Sequence, residues 1–218
     1  MTPPPVVDGH GAAADRPPGP AHRRLADALR RVTDQIVLTA ADQQRLDEAA
    51  ALVEQAADLL APDTPAWALS MPSFEPDDDP HTYFPFSPQI GHFNPLAPPL
   101  SVWVEGETVH ATGNLGAAYE GPPGCVHGGI IASLFDEILG VANITAGVGA
   151  MTGTLTIRYR KPTPLCTDLT LTARCDRIEG RKVFTTGTIH ANGVLTAEAE
   201  GIFIRVAALE WGDPTGAG

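Results

Sequence analysis

The feature that most constrains the fold is residues 128–147, GGIIASLFDEILGVANITAG, a helical stretch that is apolar on nearly every side. Ile130, Ile131, Leu134, Phe135, Ile138, Leu139 and Val141 leave no wide polar face, so such a helix belongs inside a core and not on a surface. What must cover it is written on both sides of it. Leu100–Glu105 and Thr108–Asn114, joined across Gly106, read as a short hairpin. Met151–Lys161, Leu169–Ile178, Lys182–Ala191 and Val194–Val206 read as four longer strands, the last three separated by Glu179-Gly180 and Asn192-Gly193. The order β-β-α-β-β-β-β predicts an α+β domain with a six-stranded, mostly antiparallel sheet wrapped around one central helix. A sheet of this kind leaves edge strands to hide, and pairing them across a dimer is a common remedy.

The 21 prolines of the 218-residue chain divide it, crowding residues 3–20 and 63–99 and then thinning out. Residues 1–20 have too few large apolar side chains to offset ordering entropy and are expected to be a flexible arm. Residues 21–99 form an N-terminal helical and Pro-rich extension, residues 100–207 the main domain, and residues 208–218 a tail. Within the extension, Leu25, Ala28, Leu29, Val32 and Ile36 make one apolar stripe. Leu46, Ala49, Ala50, Val53, Ala57 and Leu60 make a second, opened by Thr39 three residues before Asp42 and closed by Pro62. The Pro-rich run carries Phe74, Tyr83, Phe84, Phe86 and Phe93, which suits a segment draped over a partner surface.

A net charge of −12 makes nucleic acid an improbable partner. No run of about 18 consecutive apolar residues and no basic leader are seen, so neither a membrane span nor a secretory signal is expected. Three cysteines, Cys125, Cys166 and Cys175, suit a reducing, cytoplasmic setting. Seven histidines without ligand spacing support no metal site.

Chemistry is concentrated at the start of the central helix. Tyr119-Glu120-Gly121-Pro122-Pro123-Gly124-Cys125-Val126-His127-Gly128-Gly129 ends at its N-terminus, where Gly128 and Gly129 would let a carbonyl oxygen approach backbone N–H groups. A tight turn into a packed helix is the competing explanation. Asp136 is an acid in an otherwise apolar helix, a candidate base or nucleophile with a pKa raised by burial. An exposed stripe through Ser133, Asp136, Glu137 and Gly140 would explain it equally. Eight residues of helix separate Gly128 from Asp136 by ~12 Å, so they serve one carbonyl only if two subunits meet. A Cys125–His127 nucleophile pair is disfavoured, because side chains two apart on a turn rarely face one another.

The run from Tyr119 to Gly129, with Asp136 nine residues after His127, resembles the hotdog-fold acyl-CoA thioesterases of the phenylacetate-pathway and THEM types. Residues 94–100, NPLAPPL, and the strand from Met151-Thr152 to Leu165 fit the same group, and the likeness covers about residues 94–206. The resemblance implies a hotdog fold and hydrolysis of an acyl-CoA by a homodimer or dimer of dimers. No cofactor is implied beyond the coenzyme A of the substrate. It assigns the Gly128 amide to the thioester carbonyl, Asp136 to water activation or direct attack, and Thr152 to orienting the water. His127 would touch substrate or fix the loop. Gly129 and Asn143 join the substrate-binding group, Asn143 with helix packing as its competing role. Arg158, Arg160 and Lys161, in a stretch with eight basic against five acidic residues, would suit the phosphates of coenzyme A. A 3-hydroxyacyl thioester hydratase is a rival in the same fold, weakened by Ala97 where such enzymes carry a histidine. A non-catalytic acyl-CoA-binding module is a second.

Overall fold

The computed structural model describes residues 19–63 and 80–206. The expected flexible arm, the first part of the Pro-rich run with Phe74, and the C-terminal tail lie outside the described residues, apart from the end of the arm at residues 19 and 20. The elements are α1 (Pro20–Leu38), α2 (Gln43–Leu60), the short α3 (Pro80–Tyr83), β1 (Leu100–Glu105), β2 (Thr108–Asn114), α4 (Gly128–Thr145), β3 (Ala150–Tyr159), β4 (Asp168–Glu179), β5 (Lys182–Ala191) and β6 (Val194–Arg205).

The strands form one sheet in the order β1-β2-β4-β5-β6-β3, every neighbouring pair antiparallel. The hairpins turn where the sequence places glycine or Asn-Gly. Gly106, Gly180, Asn192 and Gly193 all have positive φ, the conformation tight two-residue turns need. The predicted strand ends hold for β1, β2 and β5, and shift by one or two residues for β3, β4 and β6.

The sheet closes over α4. Eight α4 residues are buried, among them Leu134, Phe135, Ile138 and Leu139, and they meet inward residues such as Val109, Leu169, Leu171, Val183, Ile189 and Phe203. By length and composition α4 could cross a bilayer; here the sheet supplies its apolar surroundings. Close approach depends on glycine in the strands beneath. A Cβ at Gly187 would lie 2.9 Å from the Thr172 carbonyl oxygen and 3.1 Å from Leu139.

Helix α1 docks differently from its pattern. Its apolar stripe predicts burial of Leu25, Val32 and Ile36, yet all three are exposed and Ala26 is the one buried residue of the helix. The polar side holds it instead. Arg30 Nε donates to the Ala97 carbonyl at 2.8 Å, and its Nη2 donates to the carbonyls of Asn94 at 2.6 Å and Gly91 at 3.1 Å. Four residues along, Asp34 accepts from the Ala118 amide at 3.3 Å. A buried guanidinium that satisfies several loop carbonyls is worth more than exposed aliphatic contact, so hydrogen-bond demand sets the docked face. Helix α2 buries nothing, and its N-cap is Asp42, which accepts from the Arg45 amide; Thr39 instead accepts from Ala41.

Truncating Phe135 to alanine is expected to lower unfolding free energy by ~3–5 kcal/mol, because the surrounding sheet cannot collapse into the space. Gly187→Val should cost ~1–3 kcal/mol by overpacking. Denaturant midpoints at unchanged m-value check both.

Candidate active site

The helix start is an accounting problem in amide protons. Its first amides have no carbonyl one turn back, so each needs another acceptor. His127 is the N-cap, and its Nδ1 accepts from the Gly129 amide at 2.9 Å. The Ile130 and Ile131 amides donate to the His127 carbonyl at 3.0 and 3.2 Å. The Gly128 amide alone finds no acceptor among the described residues. Of the two glycines the sequence offers as oxyanion donors, one is therefore occupied: the Gly129 amide belongs to His127. A Cβ at Gly129 would stand 3.0 Å from His127 Nδ1, so any side chain there would press on the capping ring. With Nδ1 accepting, Nε2 is the other ring nitrogen, on an exposed side chain.

The loop before the helix is braced from several sides. The His127 amide donates to the Tyr119 carbonyl, Val126 to Thr163, and Gly124 to the Glu120 carboxylate at 2.7 Å. Tyr119 closes the short helical turn Ala117–Tyr119 that α1 holds through Asp34, so the N-terminal helix supports the glycine loop. Across the loop, the Tyr159 hydroxyl donates to the Gly128 carbonyl at 2.8 Å, a contact no sequence motif announces. Gly128, Ile131, Tyr159, Lys161, Cys125 and Thr163 line a cleft of about 370 Å³. The buried Thr163 hydroxyl has no partner among the described residues.

Asp136 lies two turns further along α4 and is exposed, which corrects the expectation of a buried acid. The stripe through Ser133, Asp136, Glu137 and Gly140 is the more open side of the helix in a single chain. Asp136 Oδ1 accepts from the Thr152 hydroxyl at 2.6 Å. Thr152 sits on edge strand β3 beside a bulge between Thr152 and Thr154, the kind of irregularity that re-aims a side chain. The structure thus brings Asp136 and Thr152 together and keeps Asp136 about two helical turns, ~12 Å, from Gly128.

The more covered acid of this stripe is its neighbour Glu137, which is half-buried. Burial pushes the Glu137 carboxyl up from its ordinary value, the Ser87 hydroxyl bond opposes this, and the charge of Asp136 adds to it. Ser87 Oγ donates to Glu137 at 2.8 Å while accepting from the Gln89 and Ile90 amides. One turn back, Ser133 donates to Gln89 Oε1 at 3.0 Å. Residues 87–89 are therefore tied to α4 on either side of Asp136 in sequence, at Ser133 and Glu137. Phe84 packs against the core, and Phe86 meets Phe93.

The remaining assigned residues separate. Arg158 pairs with Glu200 at 2.5 Å and Arg160 with Glu198 at 2.5 Å, on the sheet surface. Lys161 lines the cleft by Gly128 with no ion pair among the described residues. Asn143 is buried, and its Oδ1 accepts from the Thr185 hydroxyl at 2.5 Å. It belongs to the contact between α4 and β5, the packing alternative.

A family model described as thioesterase superfamily matches residues 123–198. The acyl-coenzyme A thioesterase THEM4 of Xenopus laevis is 40% identical over 93 residues, 42% of this chain and 42% of that protein. THEM4 of Mus musculus is 41% identical over 93 residues, 42% of this chain and 40% of that protein. The match thus spans well under half the length of these curated relatives. A crystal structure titled as a thioesterase superfamily protein superposes with a TM-score of 0.76 at 37% identity, covering 87% of this chain and 97% of that one.

The raised pKa of Glu137 gives a stability test with a definite sign. An acid whose pKa is higher folded than unfolded holds more protons when folded, so stability falls as pH rises from the ordinary carboxylate range through the raised value. Glu137→Gln keeps an acceptor for Ser87 and removes the buried charge. Wild-type stability should decline relative to the variant across that window, read from melting temperatures between pH 4 and 8.

Proposed function

Because the chain belongs to the thioesterase superfamily, we propose that it hydrolyses an acyl-coenzyme A thioester to the free acid and coenzyme A, at two sites shared between copies. The observation that carries this reading is the pair of groups on α4. One backbone amide at its start has no acceptor among the described residues, and one carboxylate is exposed eight residues later, bonded to Thr152.

One rigid helix holds these groups ~12 Å apart, so neither can serve the other's reacting atom. Two helices related by a two-fold axis bring the amide of one copy to the carboxylate of the other. Edge strand β3 is paired on one side only, by β6, and carries Thr152, so a second copy adding at that edge would arrive next to Asp136.

In this arrangement Asp136 takes a proton from a water molecule as the oxygen attacks the thioester carbonyl. The Thr152 hydroxyl donates a hydrogen bond to Oδ1, which leaves Oδ2 to act as base and the hydroxyl lone pairs to accept a hydrogen bond from the water. Charge on the carbonyl oxygen is met by the Gly128 amide of the other copy. The C–S bond then breaks, and the proton held by Asp136 passes to the leaving sulfur. Direct attack by Asp136 would give an anhydride that water opens to the same products. His127 acts by occupying the Gly129 amide and shaping the turn. Lys161, which lines the cleft and has no ion pair among the described residues, would meet a phosphate of coenzyme A, while Arg158 and Arg160 are held by glutamates. A cytoplasmic setting is part of the same proposal, resting on the sparse cysteine content.

Asp136→Asn is expected to lower kcat/KM by ~10²–10⁴ across an acyl-CoA panel with little change in melting temperature. Gly128→Pro is the sharper variant. Gly128 is the first helical residue, where proline fits, and His127 has the extended backbone (ψ 133°) that a following proline prefers. A Cβ there meets Tyr159 at an ordinary 3.5 Å. The substitution deletes the one free N–H and should reduce kcat ~10²–10³-fold, with Gly128→Ala near wild type. Acyl-CoA binding without turnover by the wild-type protein would replace hydrolysis with a binding role.

A further inference from the structure

The N-terminal helices carry matching apolar stripes that are only partly covered by the described residues: Ala28, Leu29 and Leu46 are half-buried, and the rest of each stripe is open. On α1, Leu25, Val32 and Ile36 are exposed by 36, 38 and 65%. On α2, Leu46, Val53 and Ala57 repeat the same spacing on a helix with no buried residue. The two helices are joined by four residues, yet they are not packed along one another. An isolated helix of this length is marginal in water, so such stripes call for a cover.

Charge selects what covers them. Helix α1 has four arginines against two aspartates, and α2 four carboxylates against one arginine. Arg24 and Arg31 each precede a stripe residue by one, about 100° to one side of the α1 stripe. Asp47, Glu54 and Asp58 each follow a stripe residue by one, on the other side of the α2 stripe. Arg24, Arg31, Glu54 and Asp58 are exposed and have no ion pair among the described residues.

Two right-handed helices packed face to face bring unlike edges together when parallel and like edges together when antiparallel. A four-residue connection yields an antiparallel hairpin. Folding α2 back on its own α1 would set Arg24 and Arg31 beside Arg45 and Leu52, with the acids on the far side. Parallel packing sets both arginines along the acidic edge and aligns Leu25 with Leu46, Val32 with Val53, and Ile36 with Ala57. Only another copy offers α2 in that direction.

We propose that α2 of each copy packs in parallel on α1 of a second copy, an exchanged helical contact that adds to whatever the sheet domains contribute. It requires a second copy and no particular chemistry at the active site.

Disulfide trapping tests direction and partner together, in a Cys166→Ser background because Cys166 is exposed. Chains carrying Ile36→Cys are refolded with chains carrying Ala57→Cys and oxidised. A reducible two-chain species joining 36 to 57 is expected. Arg24→Glu with Arg31→Glu should lower its yield about tenfold, and a partner carrying Glu54→Arg with Asp58→Arg should restore it. Circular dichroism confirms that each variant is folded. A disulfide within a single doubly substituted chain, equal cross-linking of Ala57→Cys chains alone, or no cross-link at all would each overturn the contact. So would failure of the reversed charges to restore it.

Discussion

Everything at the site depends on α4 being held immobile inside the sheet. A helix with eight buried residues cannot slide or rotate without opening voids, and each void costs stability in proportion to its volume. That rigidity turns sequence spacing into distance. The eight-residue step from Gly128 to Asp136 is a fixed separation, longer than any single reacting group can bridge. The small residues beneath the helix, Gly187 above all, set how closely the sheet can grip it.

Around this fixed helix the extension acts as bracing. Arg30 gathers the carbonyls of residues 91–97, Asp34 holds the turn that leads to Tyr119, and Ser87 ties residues 84–90 to Glu137. The segment before β1 is thus joined to the open side of α4 by hydrogen bonds at Ser133 and Glu137, and to the core by the buried Ile90 and by Phe84. This is the physical reason that residues so rich in proline and charge are ordered against the domain.

How much of this the sequence discloses varies with the kind of interaction. Strand and turn positions were legible because period-two alternation and Asn-Gly or lone glycines are local signals, and all the predicted turns have the left-handed backbone they require. The burial of α4 was legible from its composition. The docked face of α1 was not, since periodicity tells which residues share a face but not which face meets the protein. Here the carbonyls of residues 91–97, far away in sequence, decide it. Sequence spacing puts Glu137 and Asp136 on the same stripe of α4, and only the path of residues 84–90 determines which of the two is covered. Tyr159 gave no signal, lying in a strand that reads as ordinary sheet. The two glycines were both visible as possible donors; that a histidine side chain takes one of them appears only in three dimensions.

That last detail limits what the helix end can hold. Helix starts that bind phosphate present several amides to a tetrahedral group with many oxygens. Here the cap, the turn and the first helical bonds consume all but one, leaving a spot of positive potential about one atom wide. It fits a single oxygen and offers nothing to a second. The same His127 ring that completes the helix therefore also narrows its electrostatics from an anion cradle to a point contact.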